Sequence, residues 1–170
     1  GTRDQAAAAI SELRTALPDA LFTIRPVTVC KDGGRVLGDP TSEHAPFQKL
    51  VVHTSEAARH DGQPIHRALI QRLKAADDAT GATVLRAIWG FRGTERPQGD
   101  RSLQLVRHVP VTTVVLDTAS NIAAAYPVID ELTEHEGLVT VESLQGMLET
   151  HAGRSLGTLH LGDDPAPTEL

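Results

Sequence analysis

The chain has 170 residues, 40% of them apolar, with 16 basic against 22 acidic side chains and a formal charge of −6. That length suits one domain of ordinary size with a real core, and the acidic balance argues against a general nucleic-acid binder. One cysteine, Cys30, cannot form an internal disulfide, and no apolar run reaches the roughly 18 residues of a membrane helix.

In chain order, DQAAAAISELRTAL (4–17) predicts a helix, because alanine is the best helix former and Ile10, Leu13 and Leu17 share a face. The opening has no apolar signal-peptide core, so with the lone thiol a cytoplasmic location is expected. LFTIRPVTVC (21–30) is β-rich, and Pro26 within it points to an edge strand or a bulge, since proline donates no ladder hydrogen bond. Cys30 reads as a structural thiol on that strand. Lys31-Asp32-Gly33-Gly34 reads as a turn, and GDPTSEHAP (38–46) as a linker.

QKLVVHT (48–54) is a short β-branched strand. Residues 55–63 form a polar loop. From Pro64 the chain predicts an amphipathic helix, with Ile65, Leu69 and Leu73 four apart. ATVLRAIWGFRGTERPQGDR (82–101) organises the whole: Val84, Leu85, Ala87, Ile88 and Trp89 predict a buried strand, which stops at Gly90-Phe91-Arg92-Gly93 and delivers an arginine-bearing loop. The glycines admit two readings. In one, backbone approaches a ligand while arginine meets phosphate; in the other, a strand simply ends in a glycine turn. Trp89 reads as core or subunit interface.

VPVTTVVLD (109–117) is the clearest strand. Ser120 is the expected N-cap of the next helix, with Asn121 competing, and Pro127 is expected to kink it or mark a late start. Gly137 closes that helix and LVTV (138–141) is a strand. Residues 146–160 are ambiguous, and the acidic tail GDDPAPTEL reads as disordered.

From 48 to 144 the order is strand, helix, strand, long loop, strand, helix, strand. This is an α+β, ferredoxin-like βαββαβ domain. AAAAISEL before LFTI echoes AAAYPVIDEL before LVTV, so residues 1–37 read as a helix-strand half-repeat whose strand adds to the sheet edge. The expected division is 1–37 half-copy, 38–47 linker, 48–146 complete domain and 147–170 C-terminal extension.

Chemistry-bearing motifs are sparse. Eight histidines are scattered without H-x-x-x-H or C-x-x-C spacing, so no metal site is expected. There is no G-x-S-x-G elbow. The cluster Glu56, Arg59, His60 and Asp61 reads as a solvated loop, and no enzyme is expected.

KLVVHTSEAARHDGQPIHRALIQRLKAADDATGATVLRAIWGFRG resembles the opening half of the domain-of-unknown-function 190 family, a branch of the PII-like proteins. The cues are a strand entering T-S-E, the Gly62 to Pro64 helix start, the run Gly81 to Arg86, and Gly90-Phe91; IDEL and EGLVTVESL extend them. The resemblance implies a homotrimer with a nucleotide, most plausibly an adenine nucleotide, in clefts between subunits, near Gly90, Phe91, Arg92, Gly93, Arg101 and Gly137. It also implies that the loop over 92–107 (the T-loop) docks on a membrane transporter or an enzyme. Two departures stand out. Arg92 replaces the second glycine of the PII Gly-Phe-Gly, and Glu136-Gly137-Leu138 lacks the lysine of the PII phosphate turn. The alternatives are a metal-responsive trimer like the CutA proteins and a structural domain of a longer protein.

Overall fold

The computed structural model describes residues 3–17, 22, 25–40, 45–76, 79, 81–90, 98–99, 109–151 and 153–159. Along the chain these form α1 (Arg3–Ala16), β1 (Thr28–Asp32), β2 (Arg35–Val36), β3 (Phe47–Ser55), β4 (Arg59–His60), β5 (Gln63–Pro64) and α2 (Ile65–Ala76). Then follow β6 (Ala82–Arg86), β7 (Trp89–Gly90), β8 (Gln98–Gly99), β9 (Pro110–Thr118), α3 (Ala119–Leu132), β10 (Leu138–Leu144), β11 (Met147–His151) and β12 (Arg154–Thr158).

The main sheet has the order β2-β1-β10-β3-β9-β6 and is antiparallel throughout. Its four strands β10-β3-β9-β6 give the expected ferredoxin-like arrangement. In β3, Gln48, Leu50, Val52 and Thr54 are buried and the alternate residues are not. β9 repeats the pattern with Val111, Thr113, Val115 and Asp117. Period-2 alternation of this kind puts one face of the sheet against a layer and leaves the other facing outward.

The covering layer is α2 and α3. Ile65, Ala68, Leu69 and Leu73 are the buried residues of α2, and Ile122, Ala125, Ile129 and Leu132 those of α3. Spacings of three and four residues place each set on one helical stripe. They close on Leu50, Val52, Val115, Val139 and Val141 as a single core. Burying one such side chain contributes roughly 1.5–3 kcal/mol, so this stripe-on-sheet contact holds the domain together.

Local sequence decides the helix ends. Thr118, and not Ser120, caps α3: its Oγ1 accepts the Asn121 N–H at 3.2 Å, and Ser120 Oγ lies 3.0 Å from that same hydroxyl. The helix follows the strand with no intervening turn, so the last residue of β9 is itself the cap. Buried Asp117 accepts from the Thr118 N–H and the Asn121 side-chain amide, putting negative charge where the helix dipole favours it. Pro127 lies inside α3, which starts eight residues before it and runs on past it.

Several expectations are corrected. The strand from Val84 is not buried. β6 is an edge strand, Leu85 is 56% exposed and Ile88 78%. A run that is apolar on both faces looks buried in sequence, but the edge of a sheet has no layer to cover its outer side. Residues 55–63 contain a small hairpin, β4–β5, turned at Asp61 (φ 48°) and Gly62 (φ 77°). An Asp-Gly pair with both φ positive is the preferred two-residue hairpin turn. The ambiguous stretch 146–160 is a second hairpin, β11–β12. It lies on the outer face of the sheet, where a cleft of about 390 Å³ is lined by Thr83, Val114, Leu116, Met147 and Leu148. The tail beyond 160 lies outside the described residues.

The N-terminal strand does join the sheet, but it begins at Thr28, two residues after Pro26, and is bulged between Val29 and Lys31. The bulge turns both Cys30 and Lys31 inward. Lys31, expected in a turn, is instead 2% exposed, and its Nζ donates to the Asp130 carbonyl at 2.6 Å and to the Asp130 carboxylate. A cation at the last turn of α3 suits the negative end of that helix. The turn itself is Gly33-Gly34, both at positive φ. From Asp4 to Ala16 helix α1 is exposed except at half-buried Ile10.

Gly34 and Gly62 separate two costs. A Cβ at either meets the penalty of positive φ, about 1–2 kcal/mol. At Gly34 it would also stand 2.2 Å from the Glu134 carbonyl oxygen, whereas at Gly62 it meets nothing within 4 Å. Gly34→Ala is expected to lower stability by about 3 kcal/mol or more and Gly62→Ala by about 1 kcal/mol, measured by urea denaturation. Equal losses would show that the β1–β2 turn does not rest on the 133–137 connection.

Candidate functional site

The registers gather one end of the sheet. Ser55 pairs with Pro110, Arg86 with Val111, and Leu138 with both His53 and Asp32. Four connections therefore meet there: the β3–α2 loop with its small hairpin, the long β6–β9 connection, the α3–β10 turn and the β1–β2 turn.

Each is fastened by short polar contacts. The Glu56 N–H donates to the Val109 carbonyl at 2.9 Å, and the Arg86 Nε lies 3.1 Å from Glu56 Oε2. The Ala87 N–H donates to the Pro110 carbonyl at 2.9 Å. Ser55 Oγ accepts from the Ala58 N–H, and Arg59 Nη1 donates to the Glu56 carbonyl at 2.9 Å. The Gly33 N–H donates to the Gly137 carbonyl at 2.9 Å. Across the gap between the β4–β5 hairpin and the α3–β10 turn, His60 Nδ1 stands 3.9 Å from Glu134 Oε1.

The predicted site residues divide. Gly90 lies in β7, whose two residues pair antiparallel with Gln98 and Gly99, so the long connection leaves the sheet through a short ladder. Phe91, Arg92, Gly93 and Arg101 lie outside the described residues. Gly137 has φ 114°, and a Cβ there would touch the His53 carbonyl and the Thr54 and Thr133 methyls at 3.4 Å. Gly137 and the root of the connection thus share the same end of the sheet. Glu56, Arg86 and Lys31 were missed as structural ties. The T-S-E and Gly-Ala-Thr-Val-Leu-Arg runs contain the first two, but nothing local says that residues thirty apart will pair.

Two histidines flank this end. His66, in the first turn of α2, has a buried Nδ1 with no hydrogen-bond partner among the described residues. Burial pushes its pKa below 6.5, helped by Arg67 and Arg59 and opposed by Glu56. His53, on the outer face beside Thr112, is also pushed down, by burial and then by Lys49. Among the described residues no group of three or more His, Cys, Asp or Glu side chains is placed to hold a metal. None of the described helices is long and apolar enough to cross a membrane.

Residues 47–146 match the model of the family DUF190, described as Uncharacterized ACR. A UPF0166 protein of Aquifex aeolicus (strain VF5) is 31% identical over 97 residues, which is 56% of this chain and 89% of that relative.

The histidine shifts have a definite sign. A folded pKa below 6.5 means the neutral ring is favoured in the folded state. The stability this gives is complete above about pH 6.5 and is lost as the pH falls from there toward the folded values. Urea midpoints taken from about pH 8 to about pH 5 are expected to fall less steeply for His66→Gln than for the wild type. Parallel curves would show that His66 is not the group losing out to acid.

Proposed function

This chain belongs to the DUF190 family, a PII-like family, and on that premise we propose that it is a regulatory subunit whose sheet end responds to a small effector. The effector is read as an adenine nucleotide, bound near Gly90, Phe91, Arg92, Gly93, Arg101 and Gly137, and the 92–107 segment as the part that contacts a partner. A membrane transporter or an enzyme is the proposed target. The proposed role is not catalytic, and a cytoplasmic location goes with it.

The observation that carries this reading is the convergence at one sheet end. The long connection and the Gly137 turn are far apart in sequence, yet registers on both sides of β3 bring them to the same place. A ligand seated there touches the base of the connection, and ordering or releasing such a segment is a known form of switching.

The outer face of the sheet supports assembly. Leu85 and Leu116 are 56% and 45% exposed on it, with half-buried Val51 and Val114 beside them. The β11–β12 hairpin stands over part of this face near Val114 and Leu116, and the apolar remainder around Leu85 is a surface suited to other copies. We read the assembly as a homotrimer.

Both parts are open to direct test. Light scattering is expected to give a mass near three times 18.2 kDa, reduced to one subunit by Leu85→Glu; a monomeric wild type would end the trimer reading. A thermal-shift panel with ATP, ADP, AMP, cyclic nucleotides and divalent metals is expected to respond to a nucleotide. At about 100 times its dissociation constant a ligand stabilises by roughly 2.7 kcal/mol. Arg92→Ala and Arg101→Ala should weaken that response. A shift from metals alone would favour a metal-responsive trimer, and a flat panel would leave a structural domain.

A further inference from the structure

We propose that Glu56 is a clamp that sets how the long β6–β9 connection leaves the sheet, and that the carboxylate–guanidinium half of the clamp is where an anionic effector acts. The connection has two roots: its entry follows Arg86 and its exit is Val109. Glu56 touches both. Its N–H holds the Val109 carbonyl at 2.9 Å and its carboxylate meets Arg86 Nε at 3.1 Å.

The two halves differ in strength. Val109 is fully buried, so the backbone bond at the exit root is shielded from water. At the entry root the two side chains are about one-third exposed, and Glu56 Oε2, though itself buried, makes no hydrogen bond: its 3.1 Å approach to Arg86 Nε is a charge contact without hydrogen-bond alignment. A misaligned contact of that kind is held less firmly than the backbone bond at the exit root. A guanidinium also takes phosphate oxygens, and can do so through two parallel N–H groups where Glu56 makes a single contact. The entry root is therefore the adjustable one, and a phosphate-bearing group is the ligand chemistry that competes for it.

Position adds to the case. Ala87, directly after Arg86, forms the last backbone bond to β9 before the β7–β8 ladder. Glu56 also begins the loop whose His60 faces Glu134, three residues before Gly137. The clamp thus lies between the two sequence regions assigned to the effector. The effector half of the inference rests on the regulatory reading above; the clamp itself does not.

The test uses the full chain. Glu56→Gln keeps the side-chain shape and the backbone bond but removes the charge. Amide hydrogen exchange at Ala87 and Trp89 is expected to quicken roughly two- to fivefold, with Val115 and Val141 unchanged. Exchanging the charges, Glu56→Arg with Arg86→Glu, should restore most of the protection. Unchanged exchange at Ala87, or equal acceleration at Val115, would overturn the clamp. Should Glu56→Gln fail to fold, Arg86→Lys, which keeps the charge and loses the Nε that meets Glu56, is read the same way. ATP added to the wild type is expected to quicken the same amides and to add nothing in Glu56→Gln. If ATP leaves the wild type unmoved while Glu56→Gln still acts, the clamp stands and the effector half falls with the regulatory reading.

Discussion

Every residue of β3 is paired with β9, and seven of its nine with β10. That double pairing makes its alternation decisive. Leu50 and Val52 are fully or almost fully buried because they face the helix layer, while Lys49, Val51 and His53, which alternate with them, face outward. A slip of one residue in either ladder would turn Lys49 and His53 into the core. The cost of burying those polar groups holds the register, and the register in turn holds the ends of β6, β9 and β10 level with one another. The site exists because of that levelling.

The N-terminal segment alters what the sheet can do. A four-stranded ferredoxin-like sheet has two free edges. Here β1 pairs along β10, and the two-residue β2 follows it. Free strand edges invite pairing with other chains, and short final strands blunt that tendency. The bulge at Val29 and Lys31 then drives a lysine into the structure, where the end of α3 and Asp130 satisfy it. The same hairpin presses Gly34 against the Glu134 carbonyl and ties Gly33 to Gly137. The turn that carries the phosphate-gripping lysine in PII proteins is therefore buttressed from the N-terminal side. Lys31 does not substitute for the missing lysine, because it is buried and committed to Asp130.

The sheet end is organised by backbone bonds with a few charges laid over them. Glu56 and Gly33 each donate a main-chain N–H to a carbonyl of another connection, and the Ala87 N–H ties the start of the long connection to Pro110 at its end. Such bonds, shielded by packing, give fixed geometry. The charged contacts at Arg86 and His60 join partly exposed side chains without firm hydrogen bonds and give adjustability. The proposed regulatory role calls for both, since a fully rigid end transmits nothing and a fully loose one has no defined states.

Much of the fold was legible in the residues themselves. The stripes of α2, the alternation of β3 and β9 and the order of elements all follow from period, because an apolar side chain must find cover and only one geometry supplies it at each spacing. The chain by itself also pointed to the family, through the Gly81 to Arg86 run and Gly90-Phe91. Tertiary structure alone decided the rest. Leu85 looked buried because its run is apolar on both sides, yet only the strand order puts it at an edge. Lys31 looked like a turn residue because Gly33 and Gly34 follow it, but the bulge that turns it inward comes from its pairing with β10. Glu56 and Arg86 carry no local mark of partnership. Their meeting depends on two ladders being in register at once, and a linear sequence does not display a distance across a sheet.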